Sequence, residues 1–338
     1  MSTRDQAIRS AQALVDDGRF VSELAELVAR PTESQDPARA NEMQRYLSDL
    51  LMPRLVAAGF DSEIHPNRYG NPFLVARRIE DPHLPTILGY GHGDVTRGQE
   101  GAWHADGAPF VLRQDQDRLY GRGTADNKAQ HLINIQAQEC VIAARGKLGF
   151  NAAWLIEMGE ETGSPGLEAF CQENQDLLGA QVLIASDGPR LSPDVPLVFL
   201  GARGAINFTL SVELRKGAHH SGNWGGLLTD PSVILAHALS TITNARGQIQ
   251  VPEWHPTSLT PDIRALIAKL PLPVGPAIDR DWGDAALTPQ ERVYGWNAFA
   301  VLAMESGVPA APVNAISGHA KATCQLRFVT GTDVDDIL

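Results

Sequence analysis

Cysteine is scarce. Cys140, Cys171 and Cys324 are the only three in 338 residues, and no two stand at CxxC spacing. That argues against a disulfide framework and a thiolate zinc site, and it favours a cytoplasmic location. Long apolar runs are missing too: none approaches the ~18 residues of a membrane span. The N-terminus, Met1-Ser2-Thr3-Arg4-Asp5-Gln6, opens polar and has no apolar signal core. Positive charge is short as well. The 28 Lys and Arg face 40 Asp and Glu, a net charge of −12, which disfavours nucleic acid and anionic membranes as partners. There is no internal repeat and no low-complexity tract. What remains is an ordinary globular composition, 43% hydrophobic and 20% charged, and a chain long enough for two domains.

Strand and helix patterns alternate through the first 200 residues. Helical spacing runs over 5–29, ended by Pro31, and over 37–59, ended by Gly59. Short apolar runs at 73–76, 86–90, 151–156 and 182–185 predict buried strands. Helices are predicted at 128–145 and at 164–174, the latter with Pro165 in its first turn. The pattern predicts an α/β domain, a mostly parallel sheet between helices. The texture changes near Leu200. Residues 207–214 alternate as a half-exposed strand, with Phe208, Leu210, Val212 and Leu214 on one face. Helices are predicted at 231–244, 261–270 and 289–306, and a second alternating strand at 320–329. These suit a smaller α+β domain whose antiparallel sheet is covered on one side.

Four predicted strand ends or turns carry acids or a histidine. His92 and Asp94 close Tyr90-Gly91-His92-Gly93-Asp94, two apart and so on one face of a continuing strand. A carboxylate there can fix the tautomer of a metal-bound imidazole; the plainer reading is a surface His near a loop Asp. Asp126 sits in the turn Gly121-Arg122-Gly123-Thr124-Ala125-Asp126-Asn127-Lys128, where a carboxylate could bridge two cations or simply cap the next helix. Glu160 and Glu161 are adjacent and repel unless something positive offsets them. A metal would do so for one and leave the other as a base. The plainer alternative is a charged loop before a helix. Asp187 follows the run 182–185, as a coordinating acid or a turn residue. Ligand sites in open α/β sheets gather at the carboxyl ends of strands. One His with several carboxylates suits zinc, cobalt or manganese.

Read in order, His-x-Asp, Gly-Arg-Gly-x-x-Asp-Asn-Lys, Glu-Glu-x-Gly-Ser and Ser-Asp resemble the zinc metallopeptidase family of glutamate carboxypeptidase, carnosinase-type dipeptidases, aminoacylase and succinyl-diaminopimelate desuccinylase. The resemblance spans residues 71–338. Ile156 to Glu161 and His220-Ser221-Gly222-Asn223-Trp224-Gly225-Gly226 are most similar to the dipeptidase branch. It implies two divalent ions per subunit, Zn2+ or else Co2+ or Mn2+. Asp126 bridges them, His92 and Asp187 complete one, Glu161 binds the other, Glu160 is the general base and Asp94 orients His92. The resemblance also implies a cis Asp126–Asn127 peptide. His220 then stabilises the oxyanion, and Asn314 and Arg327 hold the substrate's carboxylate. The implied architecture is a catalytic domain over 1–200, a ferredoxin-like lid over 201–330 that forms a homodimer, and a return at 331–338. The expected substrate is a small peptide, with an N-acyl amino acid as the alternative. Outside the pattern, the family's further C-terminal histidine has no counterpart here. A catalytically incomplete metal-binding dimer is therefore a third expectation, with an exposed apolar sheet edge and poor solubility.

Overall fold

Alternate residues of the central strands bury both faces of a sheet in the computed structural model, which describes residues 2–103, 107–188, 197–199, 201–272, 278–279 and 281–337. The chain divides into two units, Met1–Pro189 and Arg190–Leu338; Leu200, where the texture changes, lies outside the described residues.

The first unit opens with α1 (Thr3–Asp16) and α2 (Arg19–Val28). The single helical pattern over 5–29 is broken at Gly18, which takes a left-handed φ of 77°. Next come α3 (Ala40–Arg45), a π-helical turn (Tyr46–Leu51) and α4 (Met52–Ala57). Pro53 has no N–H to donate back into that turn, and the helical ladder loosens just ahead of it. The strands are β1 (Asp61–His65), β2 (Phe73–Arg78) and β3 (Thr86–His92), then a small hairpin of β4 (Arg113–Asp115) and β5 (Arg118–Tyr120). Helix α5 (Lys128–Arg145), β6 (Asn151–Glu157), α6 (Leu167–Glu173), α7 (Gln175–Leu178) and β7 (Val182–Ala185) complete the unit.

The five-stranded sheet has the order β1-β2-β6-β3-β7. β3 pairs in parallel with β6 and β7, whereas β2 runs against both of its neighbours. On one face Leu74, Ala76, Trp154 and Ile156 pack against Leu24, Leu27, Leu47, Leu132 and Ile135. On the other, Phe73, Val75 and Leu155 pack against Phe170 and Leu178. Helices thus cover both faces. β7 is less buried than its apolar run predicts and forms the exposed apolar sheet edge also expected from the sequence. It has β3 on one side, and Val182, Leu183 and Ile184 are 47–63% exposed. A continuous apolar run marks a strand suited to burial, but burial needs a covering element.

The second unit contains β8 (Gly204–Glu213), β9 (His219–His220), α8 (Ser221–Trp224), α9 (Pro231–Ile242), α10 (Pro261–Ile267), α11 (Pro289–Tyr294), β10 (Ala298–Ser306), β11 (Ala315–Ile316) and β12 (His319–Phe328). β10, β12 and β8 form an antiparallel sheet in that order. One face, with Phe208, Leu210, Ala322 and Cys324, packs against Leu235 and Leu239 of α9. Asp230 caps α9, its Oδ1 accepting from the Ser232 N–H at 2.8 Å. The helix predicted over 289–306 ends at Tyr294, and β10 follows. Ala298 to Met304 is apolar without a clear period, so periodicity cannot choose between helix and strand; pairing with β12 decides it.

Candidate metal centre

Parallel pairing is what gathers the site. β3 lies between β6 and β7 and runs with both, so the three C-terminal ends meet. His92 is the last residue of β3, Asp94 lies two beyond, Glu160 and Glu161 follow β6, and Asp187 follows β7. Asp126 arrives from the turn that opens α5. The Asp126–Asn127 peptide is cis.

His92 and Asp94 are fully buried. The His92 Nδ1 lies 3.1 Å from the Asp94 carbonyl and 3.4 Å from Asp94 Oδ1. The Asp94 carboxylate also accepts from the Glu160 N–H at 3.2 Å and the Glu161 N–H at 3.1 Å. One acid thus ties the imidazole to the loop carrying both glutamates. On the other side of the ring, Nε2 lies 2.8 Å from Asp126 Oδ1, 3.6 Å from Asp187 Oδ2 and 3.8 Å from Glu160 Oε2.

Although Asp126 is close, Nε2 is buried and not aligned for a hydrogen bond with any group. A buried ring nitrogen aimed at converging carboxylates fits a divalent ion. Ligand atoms of His92, Asp126 and Asp187 lie within 4.8 Å of one another, the one such group of three among the described residues. The chemistry of the set, one imidazole and hard oxygens, suits zinc, cobalt or manganese.

Electrostatics point the same way. Burial alone would lower the His92 pKa, but Asp126 and Asp94 overcome it and push the ring up to about 11. Burial, then Asp126, raises Glu161 to about 7. Glu160 is raised by burial and by Asp187 and Asp126, partly offset by His92. Asp187 is raised by burial and Asp126. A divalent cation would reverse each of these shifts and displace the His92 proton.

Glu161 stands outside the group of three, joined to it through Asp94. Three other predicted residues lie in the second unit. His220 is exposed on β9, its Nδ1 accepting from the Gly222 N–H at 3.1 Å. Asn314 immediately precedes β11, whose Ala315 pairs with His220, and its carbonyl accepts from the Ser221 N–H at 2.9 Å and the Ser221 hydroxyl at 3.1 Å. Arg327 is exposed on β12, its Nε donating to Gln325 Oε1 at 3.0 Å. Burial and Arg327 hold the Arg203 guanidinium below its usual range, so two cations share one region of that unit.

Sequence reasoning missed Asn127, His131 and Tyr46, all fully buried behind His92. A faint signal existed in glycine alternating with Tyr90, His92 and Asp94. A Cβ on Gly91 would meet the His131 Cβ at 2.7 Å, and one on Gly93 would meet the Tyr46 ring. It also missed Glu157, buried, which accepts from the Tyr90 hydroxyl at 2.6 Å and the Ser164 hydroxyl at 2.9 Å.

The sequence model of Peptidase family M20/M25/M40 matches residues 88–323. The chain is 32% identical over 249 residues to the Beta-Ala-His dipeptidase of Mus musculus, covering 69% of this chain and 50% of that protein. It is 29% identical over 257 residues to the Cys-Gly metallodipeptidase of Candida albicans, covering 69% of this chain and 51% of that protein. It thus spans about half the length of these curated relatives. Among solved structures, human carnosine dipeptidase 1 shares the fold with a TM-score of 0.85 at 24% identity, over 100% of this chain and 74% of that one.

Proposed function

Because the chain belongs to Peptidase family M20/M25/M40, we propose that it is a metal-dependent hydrolase of peptide bonds in small substrates, dipeptides first. The observation carrying this is the convergence of His92, Asp126 and Asp187 around a buried, unaligned Nε2. In this reading Asp126 would be shared between two divalent ions, zinc by preference, with His92 and Asp187 holding one and Glu161 the other. When bound, such ions supply Lewis acidity and a water acidic enough to attack at neutral pH.

The chain's own residues do the rest. Glu160, half-exposed and held by its backbone to Asp94, takes a proton from the attacking water as its oxygen bonds to the substrate carbonyl carbon. Glu160 then gives that proton to the amine as the C–N bond breaks. Asp94 fixes the His92 ring through Nδ1. His220 donates to the oxyanion, and Asn314 and Arg327 hold the terminal carboxylate; the crowding of Arg203 and Arg327 supports an anion there. The second unit serves as the lid and as the homodimer contact. The edge strand β10 supports that contact by exposing Val301, Leu302 and Met304. Three free cysteines support a cytoplasmic location. No helix among the described residues is long and apolar enough to cross a membrane.

A second reading, metal binding without turnover, draws on one observation: among the described residues no group of three includes Glu161. Zinc per chain after dialysis, together with release of amino acids from β-Ala-His, Cys-Gly and N-acyl amino acids, decides between them. Hydrolysis of a dipeptide by zinc-loaded protein is expected. A zinc-loaded chain inert towards the whole panel leaves the binding-only reading standing, and cleavage confined to N-acyl amino acids makes it a deacylase.

A further inference from the structure

A buried chain of hydrogen bonds runs behind the metal centre and ends on three of its segments. The Tyr46 hydroxyl lies 2.8 Å from His131 Nε2. His131 Nδ1 lies 3.2 Å from Asn127 Oδ1. The same Oδ1 accepts from the His92 N–H at 3.3 Å. The Asn127 Nδ2 donates to the Ser186 carbonyl at 2.7 Å and to Gln130 Oε1 at 3.3 Å. The Asn134 Nδ2 reaches the Ser186 hydroxyl at 2.7 Å. Asn127 therefore joins the end of β3 at His92, the turn at Asp126 and the end of β7 at Ser186, one residue before Asp187.

Proton counting leaves one consistent assignment. Burial, with the charges of His92 and Lys128, lowers the His131 pKa to about 3, so the ring is neutral and carries one N–H. Burial also keeps the Tyr46 phenol protonated. The phenol then donates to Nε2, and the ring proton sits on Nδ1 and donates to Asn127 Oδ1. That orients the amide: Oδ1 takes two donors and Nδ2 gives to two acceptors. A half-satisfied buried network is costly and a complete one is rigid, and all three side chains are fully buried. Tyr46 comes from the π-helical turn and His131 from the second turn of α5. Gly91 and Gly93 leave the space that lets both rings lie against the end of β3.

We propose that His131, backed by Tyr46, is a positioning residue: it locks the Asn127 amide, and that amide presets the spacing of the segments carrying His92, Asp126 and Asp187 for a divalent ion. This rests on the metal-centre reading above. Partners one step removed from the ligands commonly change metal affinity by ~10–100-fold; Asn127 stands at that distance and His131 one bond further out, so its effect belongs at the lower end.

The test uses the full chain stripped of metal. Zinc affinity is measured by competition with a chromophoric chelator, and folding by circular dichroism and the thermal midpoint of the metal-free protein. His131→Phe keeps a flat ring, slightly larger, and removes both nitrogens; zinc affinity is expected to fall by about 10-fold, the lower end of the range for outer partners. His131→Asn keeps a donor near the Nδ1 position and is expected to recover most of that loss, which a mere packing role would not produce. Tyr46→Phe removes one hydroxyl, a change small enough to fold, and is expected to weaken zinc by several-fold. A parent chain that binds zinc while folded His131→Phe or Tyr46→Phe binds it within two-fold overturns the positioning role alone. A parent chain that binds no zinc overturns the metal-centre reading and this proposal with it.

Discussion

The back and the front of the candidate metal centre are built on opposite principles. At the back, His92, Asp94, Asn127, Lys128 and His131 are fully buried, and nearly every polar atom has its partner inside the protein. At the front, the side chains of Asp126, Glu160 and Asp187 are 62%, 40% and 30% exposed and crowd around a single imidazole. Hydrogen bonding is close to complete behind the site, while charge in front is unbalanced. The first is the condition for holding a ligand set still, since unpaired buried groups would drive rearrangement. The second is the condition for wanting a cation, since clustered carboxylates raise one another's pKa until something positive arrives. A site preorganised from behind and electrostatically unfinished in front suits the proposed metal-assisted hydrolysis.

The sharpest way to break this contrast is at the front. Glu160→Gln removes a proton carrier and keeps the shape, so kcat on a dipeptide is expected to fall ~10²–10⁴-fold with zinc per chain unchanged. Activity within a few-fold of the parent would remove Glu160 from the base role; lost zinc would make it a ligand instead. At the back, Lys128→Met tests stability rather than chemistry. The Lys128 Nζ donates to the Leu27 carbonyl at 2.9 Å and the Arg30 carbonyl at 2.7 Å, tying the end of α2 to the start of α5. Met keeps the stem in its packed position and drops both bonds. Each carbonyl retains a backbone donor, from the Arg30 and Thr32 N–H groups. The cost is therefore that of two charge-assisted bonds offset by relief of a buried ammonium, about 2 kcal/mol, read as a lower urea midpoint. A midpoint equal to the parent's would mean that the back wall does not depend on this tie.

The front of the site could be read from the sequence because its signals are local. An apolar run closed by a small turn residue, Gly or Ser, and an acid marks a strand end, and three such runs became the adjacent parallel strands β6, β3 and β7. The back could not. Tyr46 and His131 are 85 positions apart, and nothing in either neighbourhood marks a partner. The sequence marks His92 at a strand end and leaves His131 as one more helical residue, yet neither pattern tells that His92 is pushed up to about 11 and His131 down to about 3, because carboxylates face one and apolar packing with neighbouring cations surrounds the other. Continuous apolar runs misled twice for one reason: they report a preference for burial and leave both geometry and cover open. Ala298 to Met304 became the edge strand β10 instead of a helix, and Val182 to Ala185 became an exposed edge instead of a buried strand. Short polar strands such as β1 and the β4–β5 hairpin carry no period at all.

The smallest expected effect concerns pH and belongs to the back. His131 has its folded pKa lowered to about 3 from the ordinary imidazole value of 6.5, with burial as the largest cause. The unfolded chain therefore binds a proton that the folded chain refuses. The stability from the neutral ring is fully present above pH 6.5, is lost as pH falls below it, and stops falling near pH 3. His131→Asn has no such titration, while the carboxylates at the front are common to both proteins and cancel in the difference. In metal-free protein, the stability gap between parent and His131→Asn is expected to narrow by about 1 kcal/mol between pH 6.5 and 5.5, read from urea midpoints at each pH. A gap that stays constant would mean that folded His131 accepts the proton, with its Nδ1 and Nε2 both donating. Asn127 would then still be held, but the Tyr46 oxygen would accept from Nε2 and its own proton would turn away without a partner, leaving the back wall less complete than its hydrogen bonds imply.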